Sequence, residues 1–588
     1  MRITFYGGAG EVGRSCMLLQ DGNDELLLDA GAKLGEGEEL PAIPDEKIRR
    51  IGAIAISHAH LDHIGFLPFM FRKGCHAQVY ATKPTRDVTE LLLTDFLKIR
   101  EERAARAKRM RFIRDGGNRL DERRKQRQPQ NQHAKGRQQG QQQPVGQRHQ
   151  QSQQFGHRDM QKKRHADYGQ QRPPQDRQQP ANNARSQHQQ PNRQQPVRDT
   201  LPILARGQQH AQYRPLPAQK GQAHHVHQHP QNRRFGQDET KKHMPQGGNR
   251  PFQKQGDVGF GEDDIVKAMK HMRMMEYGQE QRIGQKLRIS FHNAGHILGS
   301  STILVKGTKR LLYTADFNLR ETILLDSAKM GLAADALVIE STYGGFHDLI
   351  PSVKEARAQF IETINKTLMK GGKVLVPSFA VGRGQEILFV LESHMRSGAL
   401  QKAPIYVDGM ILKANRIYRQ NVIYCRDEIQ KRILTSDEDP FRSPLFHEPS
   451  KSRKEVYREG PAIIVTTSGM MTGGPAVDYF RRLAGDARNK LVLVGYQAAG
   501  TLGRKLLEGE KEIPFAEELI RVKMDVKSVS FSAHADHKQL VEFARNVKGL
   551  KKVFVVHGDG QKPQELAEDL RRLRLEVIVP KNGETLAV

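Results

Sequence analysis

The 588 residues carry 94 Lys and Arg against 66 Asp and Glu, a formal charge of +28, and only three cysteines. Wide separation of Cys16, Cys75 and Cys425 argues against a disulfide framework and a Cys-based zinc site, and suits a reducing, cytoplasmic compartment. No run of 18 apolar residues occurs, which excludes a membrane-spanning helix, and the length exceeds what one core usually holds.

Residues 1–8 read as a strand running into a glycine turn rather than a signal peptide. Residues 26–28 are apolar and end on Asp29-Ala30-Gly31. The strand-like residues 54–57 then lead into His-Ala-His-Leu-Asp-His at 58–63, four potential metal ligands in six positions. At a strand end, His58 and His60 point to one side of a turn, while Asp62 and His63 reach a second point nearby. Imidazole and carboxylate suit zinc, with manganese or iron as substitutes. Residues 64–67 read as the apolar start of a helix.

Helical apolar spacing follows at 85–108 and again at 262–277. Between them, residues 116–256 hold 36 Gln and 26 Lys plus Arg against 8 Asp plus Glu, so +18 of the +28 lies there. Such a composition predicts disorder. Three further polar residues each end a strand-like run: His296 after 287–291, Asp316 after 311–314 and His557 after 553–556. A sheet delivers ligands to a common edge in this way. Short apolar strands at 373–377, 405–408, 463–466 and 490–494, separated by helical stretches, predict a parallel α/β sheet lying between Glu340 and His534. The chain therefore leaves its first domain and returns to finish it.

Taken in order, Asp29, the 58–63 run, His296, Asp316, Glu340 in Val-Ile-Glu-Ser-Thr-Tyr, His534 in Ser-Phe-Ser-Ala-His-Ala-Asp-His, and His557 resemble the seven motifs of the β-CASP branch of the metallo-β-lactamase superfamily. Residues 8–16, 468–471 and 495–504 look most like the endonuclease subunit of the cleavage and polyadenylation specificity factor and its archaeal relatives, and less like RNase J. No KH-type segment precedes Met1, so the short archaeal form is expected. The resemblance implies an α/β fold, an αββα sandwich with an inserted α/β β-CASP cap. Its parts are residues 1–115, 257–344 and 501–588 for the sandwich, 345–500 for the cap, and 116–256 as an insertion.

The same resemblance implies two zinc ions per chain. His58, His60 and His296 are assigned to one, Asp62, His63 and His557 to the other, with Asp316 bridging and Asp29 orienting the first cluster from behind. Glu340 is expected to hold His534 protonated for the leaving group, with products carrying a 5′ phosphate and a 3′ hydroxyl; His537 is read as structural. His557 resembles the RNA-directed members, so the expected substrate is single-stranded RNA, cut as an endonuclease with 5′-to-3′ exonuclease action also open. Arg383, Arg504 and Lys505 are the candidate phosphate contacts. A homodimer or related β-CASP subunits are the expected protein partners, and no membrane. Ala315 departs from the glycine common in the family and is expected to be tolerated. The basic insertion is either a passive spacer or an arm that concentrates RNA through counterion release. The competing readings are an inactive RNA-binding scaffold, a DNA-directed nuclease and a small-molecule hydrolase of the same fold; filled ligand positions weigh against the first.

Overall fold

The computed structural model describes residues 1–33, 38–126, 259–436, 439–515 and 518–588. Most of the Gln-rich segment lies outside these residues. The helix Lys83–Gln126 nevertheless runs on into its start, where Arg, Glu, Lys and Leu are good helix formers.

Two seven-stranded sheets face each other. One has the order Thr585–Ala587, Arg2–Gly7, Cys16–Asp21, Asp24–Leu28, Ala53–Ala55, Gln78–Thr82, Met272–Met275. The other runs Glu576–Ile578, Lys552–Val556, Ala336–Glu340, Arg310–Tyr313, Ser301–Lys306, Leu287–Asn293, Glu280–Ile283. Alternation sorts the side chains: Met17, Leu19, Leu26 and Leu28 point between the sheets, where they join Ile289, Phe291, Ile303, Tyr313 and Phe554. Leu18 and Leu27 point outward beneath the helices Leu67–Arg72, Lys83–Gln126 and Glu262–Lys270. The second sheet's outer face is covered by His537–Asn546 and Lys562–Arg572 through Leu540, Phe543, Leu566 and Leu570. Helix, sheet, sheet, helix is the layering expected; burying each large apolar side chain contributes about 1.5–3 kcal/mol.

A third sheet has the order Phe446–His447, Ile405–Asp408, Ala462–Thr466, Lys373–Pro377, Lys490–Leu493, Asp525–Ser528, parallel throughout. Apolar clusters cover both of its faces, so its strands read as continuous apolar runs. It packs on the first domain: Tyr418 on helix Ile411–Gln420 accepts a hydrogen bond from the Leu298 amide at 3.4 Å, and Lys83 Nζ reaches Asn421 Oδ1 at 2.9 Å.

Two boundaries differ from the sequence expectation. The cap's sheet does not stop at residue 500: its sixth strand is Asp525–Ser528, and Leu506, Ile513, Ile520 and Met524 belong to its core. That edge strand, Asp-Val-Lys-Ser, has one apolar residue and gives no strand signal. The helical reading of 262–277 holds only to Lys270, because Met272–Met275 pairs in parallel with Gln78–Thr82. An open sheet edge offers these backbone groups partners that outweigh the local helical spacing. Among the described residues, no helix is long and apolar enough to cross a membrane.

Candidate metal centre

Every expected ligand sits just past the C-terminal end of a strand or in a loop between strands, at one end of the two facing sheets. The 58–63 run follows Ala53–Ala55 and winds into a short helix, Leu61–Ile64, with His60 at its N-cap. His296 lies in the loop between Leu287–Asn293 and Ser301–Lys306; Asp316 follows Arg310–Tyr313; His557 follows Lys552–Val556. Two glycines permit the packing. A Cβ on Gly31 would stand 1.6 Å from the carbonyl oxygen of Asp62, and Gly295, with φ +66°, lets the chain turn immediately before His296. Asp29, Ala315 and His557 hold left-handed backbone, with φ of 59°, 47° and 53°. Such conformations in residues other than glycine gather at sites whose surroundings over-determine them.

The ligand atoms of His58, His60, His296 and Asp316 lie within 4.8 Å of one another, and so do those of Asp62, His63, Asp316 and His557. Asp316 Oδ2 stands 3.6 Å from the Nε2 atoms of both His58 and His63, and 3.8 Å from that of His296. The Nε2 atoms of His58, His60, His63 and His557 are buried and make no hydrogen bond.

The opposite nitrogens are engaged. His63 Nδ1 is 2.7 Å from Asp29 Oδ2, His58 Nδ1 3.1 Å from Ser57 Oγ, and His296 Nδ1 2.8 Å from the Ala533 carbonyl. A ring that donates from Nδ1 directs its Nε2 lone pair at whatever lies in front, as ligating imidazoles do. These imidazoles and carboxylates, with four buried Nε2 atoms that make no hydrogen bond and His296 Nε2 facing His60 Nδ1 at 3.1 Å, fit divalent ions held by imidazole and carboxylate.

Charge agrees with that reading. Burial, then the neighbouring His63, holds His58 well below the ordinary imidazole range. Burial, then His534, does the same for His296, and burial also lowers His60. Neutral imidazole is the ligating form. Burial opposes charging of His63 too, but the carboxylates of Asp316, Asp62 and Asp29 outweigh it and push its pKa well up. The pKa of His557 is raised against burial in the same way, by Asp316 and its bond to Asp62, so the carboxylates favour positive charge on this side of the cluster.

Glu340, the last residue of Ala336–Glu340, receives the Phe317 amide at 3.0 Å and faces His534 Nδ1 with both oxygens at 3.1 Å. Burial disfavours the His534 cation, yet Glu340 and Asp316 raise its pKa to about 9. Its ring meets that of His296 with centroids 4.6 Å apart. His537 is tied at both nitrogens, to the Gly344 carbonyl at 2.7 Å and to Asp569 at 2.9 Å.

The expected phosphate contacts do not come together. Arg383 is 7% exposed, 4.0 Å from Glu386 and over the ring of Phe531. Arg504 borders a cavity of about 270 Å³ shared with Tyr343, Tyr496 and Lys562, while Lys505 is exposed and outside that lining. Sequence reasoning passed over Lys562, whose ammonium lies over Tyr343 and Tyr496 at 5.3 and 5.9 Å. It also passed over Ser57 and Tyr313. Alternation along Arg310–Tyr313 turns Tyr313 inward, the one signal that points to it.

An αββα sandwich with histidines and aspartates at one end of its two sheets, capped by a parallel α/β domain, defines a metallo-hydrolase of the metallo-β-lactamase class. Comparison with known proteins agrees. Residues 9–101 match the metallo-beta-lactamase superfamily, 384–506 the Beta-Casp domain, and 519–580 the Zn-dependent metallo-hydrolase RNA specificity domain. The protein named transcription termination factor FttA from Methanothermobacter thermautotrophicus is 30% identical, the alignment covering 100% of this chain and 72% of that protein. Its namesakes from Pyrococcus abyssi and Methanocaldococcus jannaschii are 30% and 28% identical, with 71% and 72% of their lengths covered. A crystal structure of a protein of unknown function from Enterococcus faecalis aligns over 100% of this chain at TM-score 0.44 and 10% identity, too distant to add to the fold. The chain belongs to the β-CASP family of metallo-β-lactamase hydrolases, alongside the archaeal FttA proteins.

Proposed function

We propose that this chain is a zinc-dependent ribonuclease that hydrolyses phosphodiester bonds of single-stranded RNA, as an endonuclease that also acts 5′-to-3′. The observation that carries the reading is the sharing of Asp316 by two ligand sets, with the Glu340–His534 pair beside them. His58, His60 and His296 would hold one zinc and Asp62, His63 and His557 the other, with Asp316 shared by the two sets. Bound zinc supplies a Lewis acid that brings the pKa of water down to about 7 and neutralises phosphate charge.

The chain's own residues do the rest. Asp29 keeps His63 turned toward the site, and Glu340 keeps a proton on His534. Water loses one proton to solvent as its oxygen bonds to phosphorus; as the P–O3′ bond breaks, His534 gives its proton to the departing O3′ and afterwards regains one from solvent, leaving a 5′ phosphate and a 3′ hydroxyl. RNA rather than DNA is supported by the matched RNA specificity domain. The relatives' name, transcription termination factor, supports nascent transcripts as the substrate and the cytoplasm as the place of action.

The test is cleavage of a single-stranded RNA labelled separately at each end, with DNA of the same sequence alongside, by the intact protein and by His63→Ala at equal concentration. Internal RNA fragments that vanish in the variant are expected. A ladder from the 5′ end alone would make it an exonuclease, equal cleavage of DNA would overturn the choice of substrate, and bound but uncut RNA would favour the scaffold reading.

A further inference from the structure

Asp29 is fully buried at the end of Asp24–Leu28, in left-handed backbone, and its carboxylate is saturated with donors. Oδ1 receives the Ser57 amide at 2.7 Å. Oδ2 receives Ser57 Oγ, His63 Nδ1 and Tyr313 OH, each at 2.7 Å. Tyr313 comes from the facing sheet, so the carboxylate also ties the two sheets together at the metal end.

The chemistry of the hydroxyl fixes the direction of the next bond. Ser57 has one hydroxyl hydrogen, and a carboxylate can only accept, so that hydrogen points to Asp29. The 3.1 Å contact between Ser57 Oγ and His58 Nδ1 must then run from the imidazole N–H to the serine oxygen. His58 is thereby left with its lone pair on Nε2, a buried atom without a hydrogen bond, facing Asp316. His63 reaches the same tautomer by donating directly to Asp29. The two imidazoles belong to different ligand sets.

We infer that Ser57 and Tyr313 are positioning residues through which the single carboxylate of Asp29 orients one ligand of each metal position, Ser57 relaying it to His58 and Tyr313 clamping it for both. This rests on the metal reading above and specifies which residues set the geometry of each half. Ser57 acts chiefly on the His58 position, because its hydroxyl oxygen is the hydrogen-bond partner of that ring's Nδ1, and reaches His63 only through the oxygen they share on Asp29. Tyr313 acts on both positions, because removing its donor frees an oxygen that serves both imidazoles.

The experiment is titration of the metal-stripped 588-residue chain with Co²⁺ against a competing chelator, following the visible absorption of each cobalt as it binds. Wild type, Ser57→Ala and Tyr313→Phe are compared, with melting curves recorded on the same samples. The wild type is expected to take up two cobalt ions. Ser57→Ala is expected to weaken one of them about 10–100-fold and alter its spectrum, with a clearly smaller effect on the other, whose His63 keeps its direct bond to Asp29. Tyr313→Phe, which keeps the ring and its packing, is expected to weaken both together. If Ser57→Ala weakens both equally or neither, the relay is wrong. If Tyr313→Phe binds both as the wild type does, the clamp is wrong, and this variant decides the matter should Ser57→Ala fail to fold. A wild type that binds no cobalt or zinc would instead overturn the metal reading itself.

Discussion

His534 is the residue whose role is most exposed to test. Its ring shares Asp316 and Glu340 in one ligand-sized cluster, so it is either a proton donor or a further metal ligand. The two-oxygen contact from Glu340 favours the donor. His534→Ala is expected to keep the full metal content and lose about 10²–10⁴-fold in cleavage rate, the usual worth of a positioned acid. Loss of metal from that variant, read by elemental analysis, would make it a ligand instead. Ala315 offers a second residue-scale test. Its left-handed backbone costs about 1–2 kcal/mol, which glycine relieves. Against this, glycine loses about 0.4–1 kcal/mol through the unfolded chain and about 0.8 kcal/mol of buried methyl. The terms nearly cancel, so Ala315→Gly is expected to leave stability within about 1 kcal/mol by denaturant unfolding, and a larger change in either direction would show that the strain or the packing has been misjudged.

At the scale of elements, what sequence conveys depends on how local the signal is. His58, His60, Asp62 and His63 share one turn, and His296, Asp316 and His557 each follow an apolar run, so local patterning and the family resemblance were enough to propose all seven as ligands. The split into two sets was legible from the same spacing and the family resemblance. The Ser57–Asp29–Tyr313 contacts were not, because Asp29 and Tyr313 meet only when the two sheets face each other, a pairing no spacing encodes. The strand Asp525–Ser528 escaped because a half-exposed edge has no apolar rhythm, and Met272–Met275 because three methionines mimic a helix's stripe. The Gln-rich segment carries +18 of the chain's +28, and none of the seven candidate ligands lies in it. Deleting residues 127–256 is therefore expected to preserve metal content and melting temperature while weakening RNA binding and flattening its dependence on salt. An unchanged salt slope would rule the segment out as an RNA contact.

At the scale of the whole molecule, the cap packs on the sandwich through helix Ile411–Gln420 and ends beside the site, where Phe379 lies 6.2 Å from the His60 ring and Tyr496 6.1 Å from Tyr343. Two ligand sets meeting at Asp316 beneath that cap are the centre of the account. The most direct measurement is zinc content by elemental analysis together with RNA cleavage, on the same samples of wild type and Asp316→Asn. The account predicts about two zinc ions per wild-type chain, loss of zinc in the variant, and cleavage that falls with it and is abolished in wild type by a chelator. Full cleavage by metal-stripped protein, or a variant that keeps both ions and its rate, would contradict it.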